Sequence, residues 1–550
     1  MNIVIYGAVL ITLVATPWLN SDALIIPKIM LLTCLSLFLL PKIFAQYAVL
    51  KTNKILRAVS LLALFFVLQM ILVLAISEAP FEQEIFGRTG RGLGFITYFS
   101  LIIIFIYVAV TIKSINITRI LQGLMISCLG SSVYSILQYY GFDFFNWASR
   151  TNGIIGTLGN PNFQSSFIAI AFIPTLVYIW SKQYREIYLP ILVSIFIFTL
   201  YITESTQGYI ALTSSVASII LLYAWYKKSK IMFSISMFIT ISAALISVAG
   251  MLNRGPLAYY LYKTSVRSRG EMWQTSIAVI KDNPYFGVGL DSLGDYSLKY
   301  QSEKTANGIA EYIDNSHNFI LQFATTGGIL LSVLYLGIIL VSLYSFIKIQ
   351  RTIGKFDVSW AAIFAAWISF QLQSFISPAA IPTLLWNFIF CGVFVGLNSK
   401  SSDELNVLKI FDASSKVKNS NQIPSNSLKL VSVVGAIIGL MLTYPLFNAD
   451  KLARDANLKK DALLAVAAVK KYPESVVRYN LLGTDLFNSG LYDLSLEIGR
   501  SAIKFNPNAY QTWILILVNP KASLEERRIA KNNLVKIDPL NQVIKSYPIE

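Results

Sequence analysis

The sequence predicts an all-α, polytopic membrane protein with about thirteen transmembrane helices and a soluble helical unit after the last of them. Composition and pattern carry that expectation. Hydrophobic residues make up 55% of the 550, and charged ones only 13%, against roughly a quarter in a soluble chain; mean hydropathy is +0.59. Apolar runs such as 58–77, "AVSLLALFFVLQMILVLAIS", reach the length of about 20 residues that crosses a hydrocarbon core as a helix. Backbone polar groups in lipid are satisfied only by helices or closed barrels, and these runs lack the alternation a barrel strand needs.

In chain order the spans fall at 2–18, 23–41, 57–77, 95–112, 119–140, 164–181, 187–203, 207–226, 231–251, 317–347, 358–377, 380–398 and 429–446. The first has no basic run ahead of it and only a weak cleavage signal, "ATPWLNSDA", so it reads as a retained span. The tenth is too long for one straight crossing, and Gly327-Gly328 in its middle predicts a broken or re-entrant first part. With the N-terminus cytoplasmic, the inside connections hold Lys42, Lys51, Lys54 and Arg57, then Lys113 and Arg119, Lys182 and Arg185, Lys227, Lys228 and Lys230, Lys348, Arg351 and Lys355, and the basic segment 399–428. Such loops accord with the positive-inside tendency and account for much of the net charge of +16. No basic run interleaved with aromatics points to nucleic acid. Cys34, Cys128 and Cys391 lie in apolar runs as small hydrophobes, with no CxxC pair.

These spans divide the chain into a membrane domain, 1–447, and an extracytoplasmic helical domain, 448–550. A connection of about 65 residues, 252–316, is far longer than usual and is expected on the outer side. Residues 475–508 have the length of a tetratricopeptide unit, with Tyr479, Leu482, Gly483, Gly490, Tyr492, Ala502 and Pro507 at its aromatic, small and helix-ending positions. Such a unit suits a protein partner or protein acceptor, and equally the organisation of a polysaccharide assembly complex.

The outer connections collect polar residues in four blocks: "FGRTGRGLGFITYFS" at 86–100, "GTLGNPNFQSSF" at 156–167, "SVRSRGEMWQT" at 265–275 and "YIDNSHNFILQFATTGG" at 312–328. Arg88, Arg91, Arg267 and Arg269 read either as interfacial residues snorkelling to headgroups or as an anion site, since a guanidinium fork matches two phosphate oxygens. His317, the sole histidine, reads as a structural hydrogen-bonding residue or as a proton acceptor near neutral pH. Asn160 and Asn162 read first as turn residues, Trp273 as a packing anchor, and Asp314 as an acid at a helix start or a partner of the His317 ring on an adjacent helical face. One histidine and no cysteine cluster cannot furnish a transition-metal shell, and no phosphate-binding glycine loop occurs. Neither metal nor cofactor is expected.

In their order, "GRTGRGLGFITY", "GTLGNPNFQSSFIAIAFIP", "SRGEMW…NPYFGVGLDSLGDY" and "SHNFILQFATTGGILL" resemble the O-antigen ligase and O-antigen polymerase superfamily, which includes bacterial O-linked oligosaccharyltransferases. The resemblance spans roughly residues 80–400 and implies a GT-C-like membrane fold. It also implies roles: Arg91 and Arg269, with Arg88 and Arg267, hold a lipid pyrophosphate, and His317, followed by Asn318, activates an acceptor hydroxyl. Where relatives often carry a Ser-Arg pair this chain has Thr206-Gln207, a departure that puts one pyrophosphate contact in doubt and leaves Arg267 as a substitute. The implied reaction moves glycan from undecaprenyl pyrophosphate to a glycan, lipid or protein acceptor at the outer face of a bacterial inner membrane, by one inverting displacement.

Ligase, polymerase and protein oligosaccharyltransferase remain open. A transporter would show paired interrupted helices with intramembrane charges, whereas the span interiors from 58 to 250 are almost free of charge. A scaffold that merely anchors the repeats would not need four polar blocks on one face.

Overall fold

The computed structural model describes residues 1–113, 116–143, 153–262, 264–303, 313–353, 356–400 and 426–549, and every regular element among them is a helix. Lys355 and most of the basic segment 399–428 lie outside the described residues. Ten helices are long and apolar enough to cross a membrane: Ile25–Phe44, Lys54–Ile76, Asn116–Tyr139, Pro161–Trp180, Arg185–Ile202, Thr206–Tyr226, Lys230–Met251, Phe319–Ile353, Ile381–Asn398 and Asn426–Lys459. Asn2–Leu13, Phe95–Thr111 and Val358–Ser374 are shorter. Each expected span thus has a helix, but the first stops earlier than expected. Val14 is already extended, with ψ 136°, and Pro17 follows. The helix's 12 residues cover about 18 Å, well short of a hydrocarbon core of about 30 Å.

Packing follows side-chain size. Ile381–Asn398 is buried along its whole length and forms the centre of the bundle. Gly392 and Gly396, one turn apart, face the backbone of Phe105 and Ala109; Gly435 and Gly439 do the same against Leu37 and Cys34. Small residues at this spacing let helix backbones approach closely where lipid gives no hydrophobic drive for association. Polar side chains within the bundle pair across helices: Gln371 Nε2 donates to Asn387 Oδ1 at 2.6 Å, and Ser215 and Ser369 hydroxyls meet at 2.6 Å. By contrast Lys230–Met251 buries only Gly250 and stands at the edge, facing outward.

The tenth span is broken as its glycines predict. Gly328 has φ +82° and ψ +166°, and the backbone of Tyr285 packs where its Cβ would be. Gln69 Nε2 donates to the carbonyls of Gly327, at the break, and of Tyr285, which packs against it, both at 2.9 Å. The connections around Asp22 and at 87–94, 156–160, 203–206, 313–318 and 375–380 gather at one end of the bundle, joined by bonds such as Gly90 N–H to Asp22 Oδ2 at 2.8 Å and Asn318 Nδ2 to the Phe375 carbonyl at 3.3 Å.

Beyond residue 447 the helix Asn426–Lys459 runs on to Lys459 and is followed by a set of short helices, among them Val476–Asn488 and Tyr492–Phe505. This unit is bonded to the membrane part: Thr89 and Ser475 hydroxyls meet at 2.8 Å, Asn506 Nδ2 donates to Asp295 Oδ2 at 2.9 Å, and Gln301 Nε2 to Asp538 Oδ1 at 2.9 Å.

Gly328→Ala should lower stability by about 1–3 kcal/mol, through backbone strain and the clash with Tyr285. Gly270→Ala, where an added Cβ meets nothing within 4 Å, should leave it unchanged or slightly higher. Thermal unfolding in detergent reads both; equal melting temperatures for the two variants would refute the account of the break.

Candidate active site

Three segments build the site. The first is the glycine turn between Gly87 and Gly94. Gly87, Gly90 and Gly92 have φ of +83°, +86° and +64°, a conformation in which a side chain is strained. Asp291 of the long connection closes the turn: its Oδ2 accepts the backbone N–H of Arg88 at 2.7 Å and of Leu93 at 3.1 Å. Burial pushes the Asp291 carboxyl up to about 6 despite those two donors and the nearby Arg91. Arg88 Nη1 is bonded to Asp295 Oδ1 at 3.0 Å, and Arg91 reaches the opposite way.

The second is the helix Thr264–Asp282 in the long connection. Arg269, Met272, Ser276 and Val279 share one face by helical spacing, and all are buried. Met272 and Val279 pack with Ile313, and Ser276 Oγ donates to Ser316 Oγ at 2.8 Å. That face therefore lies against the third segment, residues 313–318. Arg267 is exposed, about 200° round the helix from Arg269.

The third segment carries His317, at φ +51°. Its backbone N–H donates to Asn315 Oδ1 at 2.9 Å, a local side-chain turn that makes the left-handed conformation tolerable. Asn318 then starts the helix by accepting the N–H groups of Ile320 and Leu321 at 3.0 and 3.1 Å. Asp314 is not on a helical face beside His317, nor in the first turn of a helix, because the chain is non-helical until residue 319. Its carboxylate instead fills the fork of Arg91: Nε to Oδ2 at 3.0 Å and Nη2 to Oδ1 at 2.8 Å.

Charge sets the protonation states. Burial, then the guanidiniums of Arg91 and Arg269, push the His317 imidazole down to about 3, against a smaller pull from Asp314. The ring is neutral near pH 7. Burial alone would raise Asp314, but Arg91 overrides it and holds the carboxyl below its usual range. Arg269, 8% exposed, has its charge disfavoured by burial. His317 Nδ1, Arg269 Nε, Glu271 Oε1, Trp273 Nε1 and Thr275 Oγ1 are buried without a hydrogen-bond partner among the described residues. Native interiors leave few polar atoms in that state; these five fall on one helix and the histidine segment pinned to it, while others, such as Ser127 Oγ, Thr175 Oγ1 and Trp360 Nε1, are scattered through the bundle.

Of the residues singled out from sequence, Arg88, Arg91, Arg269, Asp314, His317 and Asn318 thus belong to one neighbourhood. Asn160, Asn162 and Gln207 make a cluster of their own. Asn160 Oδ1 caps the helix Pro161–Trp180 by accepting Asn162 N–H at 2.8 Å, and Asn162 Oδ1 accepts Ser205 Oγ at 2.7 Å. Gln207 Oε1 is buried without a partner among the described residues. Sequence reasoning missed Asp291 and Asp295, whose only signal is the "GLDSLGDY" block, and Lys28. This last side chain, 1% exposed, donates to the Thr157 carbonyl and pins the turn before Asn160; a lone lysine in an apolar run was its signal.

With this geometry in view, comparison with known proteins is informative. Residues 191–336 match the family model described as O-antigen ligase, a stretch that contains Arg269, Asp291, Asp314 and His317 but not the glycine turn. An uncharacterized protein of Haemophilus influenzae is 23% identical over 268 residues, which is 46% of this chain and 66% of that protein, just under two thirds of its length. The match over 191–336 makes this stretch of the chain similar to the O-antigen ligase family and supports the O-antigen ligase superfamily.

Proposed function

We propose that the chain transfers or polymerises glycan from an undecaprenyl-pyrophosphate-linked donor onto an acceptor hydroxyl, at the extracytoplasmic face of a bacterial inner membrane. The family supports O-antigen ligase-type glycan transfer in general. The observation that carries the finer reading is one neutral imidazole, His317, within electrostatic reach of two guanidiniums, Arg91 and Arg269, that come from distant parts of the chain.

In the proposed reaction the acceptor oxygen forms a bond to the anomeric carbon while the bond from that carbon to the pyrophosphate oxygen breaks. The electron pair of the broken bond leaves with the pyrophosphate. Arg269 and Arg91 stabilise that charge as it develops, the role preorganised donors play in a water-poor site. The acceptor proton passes to His317, so the site needs the ring neutral at the start. Attack from the face opposite the leaving group inverts the anomeric centre. The N-terminus is cytoplasmic in this scheme, which leaves the basic connections inside and puts the C-terminal helices outside.

A protein acceptor is the second reading. It is favoured by the bonds from Ser475 to Thr89 and from Asn506 to Asp295, which seat the C-terminal helices on the segments that hold the arginines. Tetratricopeptide-like helices in that position would present a partner beside the site.

His317→Ala should lower turnover by about a hundredfold or more with insertion and melting temperature unchanged, measured on purified protein with lipid-linked donor and product read by mass spectrometry. Wild-type turnover in that variant would defeat the catalytic assignment. Arg269→Ala should raise the donor KM about 10- to 100-fold. Arg269→Lys should recover little of it, since an ammonium cannot make two parallel bonds; a normal KM in the lysine variant would remove the bidentate contact.

A further inference from the structure

We propose that Asp314 is an exchangeable counterion, which fills the Arg91 fork at rest and passes to His317 Nδ1 when a donor pyrophosphate takes its place. The inference rests on the pyrophosphate reading above and gives Asp314 a part in the reaction cycle.

Arg91 cannot offer its Nε and Nη2 edge to a phosphate while Asp314 holds both. The pair is not sealed: the two side chains are 19% and 26% exposed, so an incoming anion can reach it. A pyrophosphate carries more charge than a carboxylate and presents the same two-oxygen geometry, and it therefore competes for the fork. Two like charges cannot share one guanidinium edge without repulsion, so the carboxylate must move. A ring nitrogen that can donate to it lies three residues on in the chain. His317 Nδ1 is buried and lacks a partner among the described residues, and Asp314 and His317 already act on each other electrostatically. Asn315, between them, folds the backbone into a turn through its bond to His317 N–H.

After the exchange the proton balance is simple. Nδ1 keeps the ring proton and hydrogen-bonds through it to the Asp314 carboxylate. The other ring nitrogen is then the base and takes the acceptor proton, and the resulting imidazolium lies beside a carboxylate instead of two bare guanidiniums. His317 faces Arg91 from the glycine turn, Arg269 from the loop helix and Asp314 from its own segment. Phosphate charge on the two arginines and a carboxylate on Nδ1 all act to raise its pKa toward the working pH, where a general base is most effective. Donor binding would thus switch the base on, and the ring would stay a poor base while the site is empty.

A merely structural Asp314, clamping Arg91 in place, predicts that Asp314→Asn weakens donor binding and turnover together. The exchange predicts opposite signs. In full-length protein in nanodiscs, Asp314→Asn should bind undecaprenyl pyrophosphate about fivefold more tightly, because Arg91 is already free. Its turnover should fall by about a hundredfold. Since His317 is the only histidine, protein labelled at histidine and purified without a histidine tag reports its titration as one signal. Adding undecaprenyl pyrophosphate should raise that pKa by more than one unit in the wild type and by clearly less in Asp314→Asn. Weaker binding in Asp314→Asn, or an equal pKa rise in both proteins, overturns the exchange. Arg269→Ala separates the two levels: if it binds undecaprenyl pyrophosphate normally, the donor site itself is misplaced, and the exchange falls with it. If it binds weakly while Asp314→Asn does not bind tightly, only the exchange falls. Should Asp314→Asn prove unfolded, Asp314→Glu serves, with the fork kept and the reach to Nδ1 altered: normal turnover in it would also overturn the proposal.

Discussion

The neighbourhood of His317 depends on one carboxylate, Asp291, which accepts two backbone N–H groups of a turn some two hundred residues earlier in the chain. A turn with three left-handed glycines has little preference of its own, and glycine adds to the entropy lost on ordering it. Two charge-assisted bonds from a buried acceptor fix what the glycines leave free. Once the turn is closed, Arg88 and Arg91 depart in different directions, one toward Asp295 and the C-terminal helices, the other toward Asp314.

Both arginines of this turn are paired. A guanidinium in a partly dry place is costly unless an opposite charge accompanies it, and Arg88 and Arg91 each have a carboxylate in contact. Arg269 differs, since its Nε lacks a partner among the described residues and burial works against its charge. It is the residue with most to gain from an anion. The neutral ring of His317 follows first from its burial and then from the same charges, because a proton there would add a third positive charge to those of Arg91 and Arg269.

The helices were legible in the sequence because lipid imposes one pattern, about twenty apolar residues. The break at Gly327-Gly328 was legible because two adjacent glycines are the weakest point of a long apolar helix. The early end of the first helix was not, since the apolar run continues past Leu13 and only Pro17 marks the stop. Within the site, His317, Arg91 and Arg269 stood out as polar residues in ordered blocks. The partner of Arg91 did not: Asp314 lies 223 residues away, and a salt bridge leaves no local periodicity. Asp314 was noticed for its closeness to His317, in a helix that turns out to begin later. Lys28 and Asp291 were hidden for the opposite reason, as each bonds to backbone groups, which any sequence can supply.

The helix Asn426–Lys459 leaves the bilayer and enters the C-terminal unit with no linker between. Its 34 residues extend about 51 Å, some 20 Å more than a hydrocarbon core needs. The projecting part acts as a mast of fixed height, so the C-terminal unit is positioned by helical phase and not by the reach of a tether. Each residue added to such a mast would turn the unit by about 100° and carry Asn506 away from Asp295. Evolution can therefore lengthen this connection only in near-whole turns, which ties the height of the C-terminal unit above the bundle to discrete steps of the α-helix.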